Sequence, residues 1–336
     1  MRVLGIESSC DDSAAAVVED GPRIVSNVID SQDENHDPFG GVVPEIASRE
    51  HVTRIVGVVR RALDEAGGLD TIDGIAVTRG PGLVGSLLVG VQFAKGLAIA
   101  RGLPWVGINH LEGHLSAALL ADEPPTYPHV ALVVSGGHSH LYWVEAFGRY
   151  RVLGGTRDDA AGEAFDKIGK LMGLGYPGGA RLEKAAEGGD PKSIPMPRGL
   201  PSTKSFDFSF SGLKTAAAQY LRRHDRALEG RGRADFAASV QEAIVDILSK
   251  KAVASARKLR APGVVLAGGV AANTRLRELM AQRCAANDLW SFVPPRVLCT
   301  DNAAMIAAVG WLRLRAGERT PWTTSVRSRW PLGDDA

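Results

Sequence analysis

Short apolar runs alternate with polar turns and with longer amphipathic stretches along the whole chain. Val3 to Glu7 has the pattern of a buried strand, the polar run SSCDDS follows, and AAAVVED is a second strand pattern. This predicts a β-hairpin with a polar tip. Residues 45–66 alternate at the helical period, which predicts a helix. Strands are predicted at IDGIAVTRG and LPWVGIN, an apolar helix lies between them, and His110 opens the next helix.

The hairpin pattern recurs at residues 130–145, where VALVVSGGHSHLYWVE reads as strand, glycine turn and strand. Residues 158–223 are predicted to be rich in loops, and residues 234–259 to form one long amphipathic helix. GVVLAGGVAAN predicts a strand that runs into a glycine turn, TRLRELMAQRC a helix, and residues 291–293 a last strand before CTDNAAMIAAVGWLRLR. Two hairpins that begin two successive halves predict α/β layers in two related lobes with a cleft between them.

Composition narrows the class of protein without naming a function. The chain has 336 residues, 45% apolar and 23% charged, and 39 basic against 38 acidic side chains give a net charge of +1. A uniformly basic protein is therefore excluded, but local basic patches for RNA are not. The three cysteines lie far apart in the sequence and show no CxxC spacing. This distribution favours a protein of the reducing cytoplasm. The apolar stretch 82–100 contains Gln92 and Lys95, which favours a buried helix over a membrane span.

The pentapeptide HLEGH, residues 110–114, resembles a zinc-protease motif with a displaced glutamate. His110 and His114 lie about 40° apart on one helix face, a spacing that suits two imidazoles on one metal ion. Glu112 falls about 200° from His110 on the same wheel and points away, so it is not placed as a protease base. Two surface or capping histidines are the alternative. Asp301, expected between a strand end and a helix start, is the best-placed third ligand.

Glycine turns supply further candidates. GPGLVG at residues 80–85 formally fits a dinucleotide fingerprint, but the acidic residue expected about 20 positions later is missing, so tight strand-to-helix packing is preferred. SGGHS at 135–139 lies at a hairpin tip, where glycines leave backbone N–H groups open to oxygen atoms of phosphate or carboxylate. LAGGVAAN at 266–273 is a second glycine turn whose Asn273 can bond a base or ribose, or is simply a connection.

Each charged segment has a purely structural interpretation beside its functional one. DDAAGEAFDK at 158–167 is either a solvated helix N-terminus or places Asp166 on hydroxyls of a nucleotide. FDFSFSGLKTA at 206–216 is either core or a wall of the cleft, with Lys214 near an anion. Basic clusters occur at RRHDR (222–226), at RGR (231–233), between 250 and 260, and after residue 312. The last set is interleaved with tryptophans, a mixture that suits RNA.

Together these segments resemble one family over nearly the whole chain, the bacterial tRNA adenosine threonylcarbamoyltransferases, once described as glycoproteases. The motifs that carry the resemblance are GIESSCDDSAAAVV, GGVVPEIASREH, HLEGH, VVSGGHSHL, DDAAGEAFDKIGK, GYPGG, FSFSGLKTA, AGGVAAN and CTDNAAMIA. The resemblance implies a two-lobed actin-, Hsp70- and sugar-kinase-like fold, with duplicated mixed-sheet domains around a nucleotide cleft. It also implies transfer of threonylcarbamoyl from threonylcarbamoyl-AMP to N6 of adenosine 37, in tRNAs that read codons starting with A.

The resemblance also implies a site. One Fe²⁺ or Zn²⁺ is expected on His110, His114 and Asp301, leaving open coordination positions. The adenylate is expected along residues shared with the family motifs, and ATP or ADP can occupy the same cleft; these residues are Val133, Val134, Ser135, Gly136, Gly137, Asp166, Gly179 and Asn273. Glu183 stands where some relatives have aspartate, and its part in ribose binding is left open. Backbone N–H groups of Ser135 to Gly137 are expected to stabilise negative charge, and no general base is assigned.

Residues 1–115 with 296–336 are expected to form the N-terminal lobe, and residues 116–295 the C-terminal lobe with much of the nucleotide site. The partners implied are the tRNA anticodon loop, a shorter paralogue that dimerises with the N-terminal lobe, a P-loop ATPase and an adenylate-forming enzyme, with no membrane. Three alternatives stay open: a metallopeptidase, a small-molecule kinase of the same fold, and a non-enzymatic ATP-dependent scaffold.

Overall fold

The computed structural model describes residues 1–224 and 228–333, which form two compact units. The first unit comprises Met1–Pro125 and the chain from Pro294, and the second comprises Thr126–Val293. Residues 116–125 therefore belong to the first unit, not to the second as the sequence suggested. A 3₁₀ turn at Ala117–Leu120 continues the HLEGH helix and packs in the same core, with Ala117 and Ala118 buried.

Each unit contains one five-stranded mixed sheet. The strands in chain order are β1 (Arg2–Glu7), β2 (Asp12–Glu19), β3 (Arg23–Ser31), β4 (Gly74–Gly80), β5 (Trp105–Asn109), β6 (His129–Val134), β7 (Ser139–Ala146), β8 (Arg149–Gly155), β9 (Gly263–Ala267) and β10 (Trp290–Phe292). The helices are α1 (Asp33–His36), α2 (Pro44–Glu65), α3 (Val84–Arg101), α4 (His110–Ser116), α5 (Ala161–Leu171), α6 (Gly178–Ala185), α7 (Ser211–Arg223), α8 (Arg231–Leu259), α9 (Thr274–Ala285), α10 (Arg296–Cys299) and α11 (Ala303–Arg315).

The two sheets have the same topology. The first has the order β3-β2-β1-β4-β5, and the second has the order β8-β7-β6-β9-β10. In each, three antiparallel strands form a meander and two further strands run parallel to the first strand of that meander. Helix α3 makes the parallel crossover in the first unit, and α9 makes it in the second. The predicted duplication is therefore confirmed at the level of topology, without a sequence repeat.

The first sheet is covered by helices on both faces, which explains why its central strands are apolar throughout. Ala15 and Val17 of β2 face the core shared with α2 and α3, whereas Ala14 and Ala16 face α11. Because side chains of a strand alternate between faces, one strand joins both layers.

The edge strands β3 and β8 and the short helices α1 and α10 were not predicted from the sequence. Strand β3 carries mixed polar and apolar residues because most of its side chains are only half-buried at the sheet edge. Residues 158–223 are rich in loops as predicted, but they also contain three helices, α5, α6 and α7. Their glycine and proline residues separate short helices, so no long periodic pattern is visible. In the basic run RRHDR, residues 225 and 226 lie outside the described residues.

Helix α3 is apolar on two faces. Leu87, Val91 and Ala94 are buried against β4 and α2, but Val84 and Leu88 are exposed. By length and composition this is a helix that could cross a membrane, yet its inner face packs as a core helix does. The predicted buried helix is therefore buried on its inner face and exposed on its outer face.

Candidate metal centre and adenylate site

Helix α4 begins directly at the end of β5, and its first residue is a candidate ligand. The Asn109 side chain caps the helix, because its Oδ1 accepts the N–H groups of Leu111 at 2.9 Å and Glu112 at 3.4 Å. Both histidines are buried, and their rings meet edge-to-face with centroids 4.6 Å apart. The predicted helix and the shared histidine face are confirmed.

Asp301 reaches the same place from the other end of the first unit. It follows the short helix α10 and precedes α11, and is not at a strand tip as the sequence suggested, because β10 ends at Phe292. Its neighbour Asn302 caps α11 by accepting the N–H of Met305 at 3.0 Å, which fixes the backbone at Asp301. Asp301 Oδ1 lies 3.1 Å from His114 Nε2 and 3.6 Å from His110 Nε2.

These three side chains fit a metal ion. One ligand atom from each lies within 4.8 Å of the others. Bonds of about 2.0–2.2 Å to a tetrahedral ion place two ligand atoms roughly 3.3–3.6 Å apart, close to the separations seen here. Two imidazoles and a carboxylate are a donor set that Zn²⁺ and Fe²⁺ accept, and three protein ligands leave positions for substrate. The group could therefore hold a divalent metal.

Carboxylates surround His110 on two sides. Its Nδ1 lies 2.9 Å from Glu7 Oε2 and 3.2 Å from Ser9 Oγ, on the side away from Asp301. Burial alone would lower the pKa of His110, but Asp301 and Glu7 outweigh that effect and raise the pKa to about 9. With this pKa, His110 in the metal-free site would carry a proton at neutral pH, which a metal ion would have to displace.

Metal affinity should consequently depend on pH. Because the His110 proton leaves on binding and its pKa is raised to about 9, the apparent affinity for Zn²⁺ should fall about tenfold for each pH unit from about 9 towards 7. Competition with a chromophoric chelator at several pH values measures this slope. A constant affinity between pH 7 and pH 8.5 would contradict the raised pKa of His110 in the metal-free site.

Glu112 and Gly113 of HLEGH serve the packing of α4 on α11. Glu112 is 1% exposed and pairs with Arg313, whose Nη2 donates to both carboxylate oxygens at 2.9 and 2.8 Å. Gly113 allows the close approach of the helices, since a Cβ there would lie 2.8 Å from Ile306 Cδ1. The predicted turning of Glu112 away from the histidines is confirmed, and its partner explains why an acid is there.

The arginines and tryptophans near the C-terminus are used largely within the fold. Arg315 lies over the ring of Trp311 at 4.9 Å, and Arg79 lies over Trp330 at 4.2 Å. Trp322 packs against Trp105 with centroids 5.9 Å apart. These rings are stacked on the protein's own groups, but Trp322 and the arginines Arg315, Arg319, Arg327 and Arg329 are exposed, so RNA binding by this stretch stays a prediction.

In the second unit, the predicted glycine tip joins β6 to β7. Val133 and Val134 are buried at the end of β6, and the turn closes through Ser135 N–H donating to His138 O at 2.8 Å. Gly136 and Gly137 are exposed, and a Cβ at either would meet no atom within 4 Å. The fold itself therefore does not demand glycine at these two positions.

The other predicted adenylate residues lie on α5, on α6 and at the N-terminal end of α9. Asp166 Oδ1 accepts the N–H groups of Gly178 at 2.9 Å and Gly179 at 3.1 Å, and so caps α6. Glu183 Oε1 accepts the N–H of Thr274 at 2.8 Å. Asp166 and Gly179 are thus brought into contact, and Glu183 meets the start of α9.

Asn273 is committed to the fold through both ends of its amide. Its Oδ1 caps α9 by accepting the N–H of Leu276 at 2.9 Å, and its Nδ2 donates to Gln241 Oε1 at 2.8 Å. The turn before it needs a glycine, because Gly268 has φ +86° and packs against Val134. Its contact with an adenylate stays a prediction.

Acids of the segment 158–167 have structural partners as well. Asp158 accepts from Ser209 Oγ at 2.6 Å and from the N–H of Phe210 at 2.8 Å, which holds the start of α7. Lys214, expected near an anion, donates to Asp159 Oδ2 at 2.8 Å, so the anion is a protein carboxylate. Asp158 and Asp159 thus have structural partners, although not as the solvated helix N-terminus that the sequence suggested.

Fold and site define the class of this protein. Component A of (R)-2-hydroxyglutaryl-CoA dehydratase from Acidaminococcus fermentans superposes over 94% of this chain and 99% of its own, with a TM-score of 0.55 and 15% identity. HypF from T. kodakarensis gives 0.58 over 94% of this chain and 47% of its own, also at 15% identity. The chain is thus an α/β protein with an actin-like ATPase fold and a His–His–Asp group that could bind a metal.

Sequence relatives specify the family. The tRNA N6-adenosine threonylcarbamoyltransferase (TsaD) profile matches residues 23–308. Proteins of that name from Syntrophus aciditrophicus and Anaeromyxobacter dehalogenans (strain 2CP-C) are 52% and 54% identical over 333 residues, covering 99% and 98% of this chain and 98% and 99% of their own lengths. The chain belongs to the tRNA N6-adenosine threonylcarbamoyltransferase family.

The residues missed in the sequence are those that orient the ligands. Glu7, Ser9, Asn109 and Asn302 surround the metal group. Asparagine immediately before His110 and before Ala303 is a helix-capping signal that sequence analysis can recognise. Glu7, a charged residue at the end of an apolar strand, was a second visible signal.

Proposed function

We propose that this protein transfers the threonylcarbamoyl group of threonylcarbamoyl-AMP to N6 of adenosine 37 in tRNAs that read codons starting with A. The observation that carries the proposal is the convergence of His110, His114 and Asp301 in a chain of this family. A protease base is missing from the motif, since Glu112 is occupied by Arg313. The family does not favour the metallopeptidase or kinase alternatives.

The reaction needs an acyl-type carbon to be polarised and two reactants to be aligned, because an amine conjugated to a purine is a weak nucleophile. A divalent ion on His110, His114 and Asp301 would supply Lewis acidity for a carbonyl or phosphate oxygen, or would anchor the threonyl part. Iron and zinc both suit this donor set. We assign no general base, because no side chain stands out for that role.

Gly136 and Gly137 are the proposed contacts for negative charge on the adenylate. The N–H of Ser135 is used within the turn, so the oxyanion contacts that were predicted for three residues fall on the two glycines. Within the described residues, their N–H groups have no hydrogen-bond acceptor. Open space above both residues supports an approach by phosphate or carbonyl oxygens.

Substitution at this tip should separate binding from stability. Gly137→Val should weaken binding of a non-reactive adenylate analogue by at least about tenfold, because a branched side chain would occupy the space left for the ligand. The free energy of unfolding should change by less than about 1 kcal/mol, since the Cβ meets no protein atom. Gly57→Ala, at an open glycine of α2 in the other unit, is the control. Unchanged binding by Gly137→Val in calorimetry would refute the assignment.

Asp166, Gly179, Glu183 and Asn273 are proposed to complete the adenylate site together with Val133 and Val134. Asp166 and Asn273 would act mainly by fixing the ends of α6 and α9, given their capping bonds. Adenosine 37 lies in the anticodon loop of the substrate, where unstacking costs less than flipping a paired base. ATP or ADP would bind at the same residues.

A protein partner is proposed for the outer face of α2 and α3. Val52 and Val56 of α2 and Val84 and Leu88 of α3 are exposed, and the two helices pack on each other. Several exposed aliphatic side chains on adjacent helices are typical of an interaction surface. We propose that a shorter paralogue of the same fold binds there. A P-loop ATPase and an adenylate-forming enzyme would complete the pathway in the cytoplasm, consistent with three free cysteines.

One assay tests the proposed function. Purified protein, with the shorter paralogue and the P-loop ATPase, is incubated with unmodified tRNA and threonylcarbamoyl-AMP, and nucleosides are analysed by mass spectrometry. Formation of N6-threonylcarbamoyladenosine is expected. Its absence under these conditions, with the metal bound, would overturn the transferase proposal. Cleavage of a glycoprotein that is lost in His110→Ala would support the peptidase instead.

A further inference from the structure

We propose that Glu7 is a positioning residue of the metal centre, whose carboxylate holds the His110 imidazole so that Nε2 points towards the ion. The inference rests on the proposed function only in requiring a metal ion at His110, His114 and Asp301. Glu7 is not one of those ligands. It is the last residue of β1 and is 1% exposed.

Three elements hold the Glu7 carboxylate in place. Thr78 of β4 donates its hydroxyl to Oε2 at 2.6 Å, and the N–H of Ser9 at the hairpin tip donates to Oε1 at 2.5 Å. His110 Nδ1 lies 2.9 Å from Oε2. A buried carboxylate is tolerated only when its oxygens accept such bonds, and these bonds also fix its orientation. Glu7 is therefore a rigid acceptor for one nitrogen of His110.

An imidazole offers two nitrogens, and its other hydrogen bond decides which one faces a metal ion. With Nδ1 against Glu7, Nε2 of His110 stands on the side of Asp301 Oδ1, 3.6 Å away. Turning the ring over would remove the Glu7 bond and direct the wrong nitrogen to the site. The carboxylate also strengthens the imidazole as a donor to the ion.

The second histidine has no equivalent support. His114 Nδ1 is buried, and no partner lies within hydrogen-bond reach in the part of the chain that the structure describes. His114 is oriented by Asp301 through Nε2 alone, at 3.1 Å. Among the described residues, the Nδ1 atom of His110 therefore has a carboxylate partner and that of His114 has none. A change at Glu7 should consequently alter the metal centre.

Co²⁺ titration of the purified chain tests the proposal, because Co²⁺ reports both affinity and coordination through its visible spectrum. Glu7→Gln keeps the size of the side chain and removes its charge. It should weaken Co²⁺ binding about 10- to 100-fold, the usual effect of removing such a partner of a ligand, and should alter the spectrum. The same affinity and spectrum as the unmodified chain would overturn the inference.

Glu112→Gln is the matched control, since it also neutralises a buried, ion-paired acid of this unit. It should leave the Co²⁺ dissociation constant within about twofold, because Glu112 faces Arg313. Urea unfolding of each variant separates loss of affinity from loss of fold. If Glu7→Gln does not fold, Thr78→Val serves instead: losing one bond to the carboxylate should weaken binding about three- to tenfold, and no change would count against the proposal.

The titration needs neither tRNA nor adenylate, so its outcome is independent of the transfer assay. If the protein is inactive in the transfer assay but its Co²⁺ affinity depends on Glu7, the transferase proposal is contradicted and this inference is supported. If the protein is active in the transfer assay but the Glu7→Gln variant binds Co²⁺ with unchanged affinity, the transferase proposal is supported and this inference is contradicted. Absence of Co²⁺ binding by the unmodified chain would overturn the metal centre itself.

Discussion

Replacing His110 and His114 together by alanine is expected to abolish metal binding and to lower the rate of threonylcarbamoyl transfer by about 10³-fold or more. The physical reason is that two of the three candidate ligands are removed, and Lewis-acid stabilisation of several kcal/mol is lost at about 1.4 kcal/mol per factor of ten. Metal content of the purified variant and single-turnover transfer to unmodified tRNA measure the two effects.

Glu112→Gln is the matched control within the same pentapeptide. It should leave the metal bound, because the glutamate lies against Arg313 and not against the histidines. A double histidine variant that retains one equivalent of metal, or a Glu112→Gln variant that loses it, would contradict the site as described. The pair of results also separates this centre from a zinc protease, in which the glutamate of the motif is the catalytic base.

Replacing Arg313 by alanine is expected to lower the free energy of unfolding by about 3–5 kcal/mol. Glu112 is buried, and Arg313 is its bidentate partner across the interface of α4 and α11, so the substitution leaves an uncompensated carboxylate in the core. The side chain of Arg313 is 27% exposed, which keeps screening by water modest. Urea unfolding followed by circular dichroism measures the change.

Arg329 provides the comparison for Arg313. It belongs to the same basic C-terminal set but is exposed, so Arg329→Ala should change the free energy of unfolding by less than about 0.5 kcal/mol. If Arg313→Ala proved as stable as Arg329→Ala, the buried ion pair would not support α4. The two variants therefore distinguish a structural arginine from one that is available to RNA.

Much of the site could be predicted because its residues are joined by local geometry. Two histidines four positions apart share a helix face in any helix, and the displaced glutamate must then lie elsewhere. Asn109 and Asn302 precede helix starts, where the capping preference acts over three residues. For the second unit, alternating apolar residues and a glycine turn were enough to predict the hairpin of β6 and β7.

Other features depend on contacts between distant parts of the chain, which local patterns do not encode. Asp301 was chosen as an acid near a helix start, and its expected place at a strand tip was wrong. The bond between Glu7 and His110 joins residues 103 positions apart. The sequence of the C-terminal stretch also did not reveal that its tryptophan rings are stacked on groups of the protein itself, and its predicted contact with RNA stays a prediction.

The sequence by itself determined the α/β class, the duplicated hairpins, the family resemblance and the identity of the candidate ligands, since these follow from short-range periodicity and motif spacing. Only the tertiary structure decided which hydrogen-bond or ion-pair partner each acidic side chain has. It placed Glu112 on Arg313, Glu7 on His110, and Asp166 at the start of α6. The reason is physical: a buried charge is stable only beside its partner, and that partner is chosen by how sheets and helices pack.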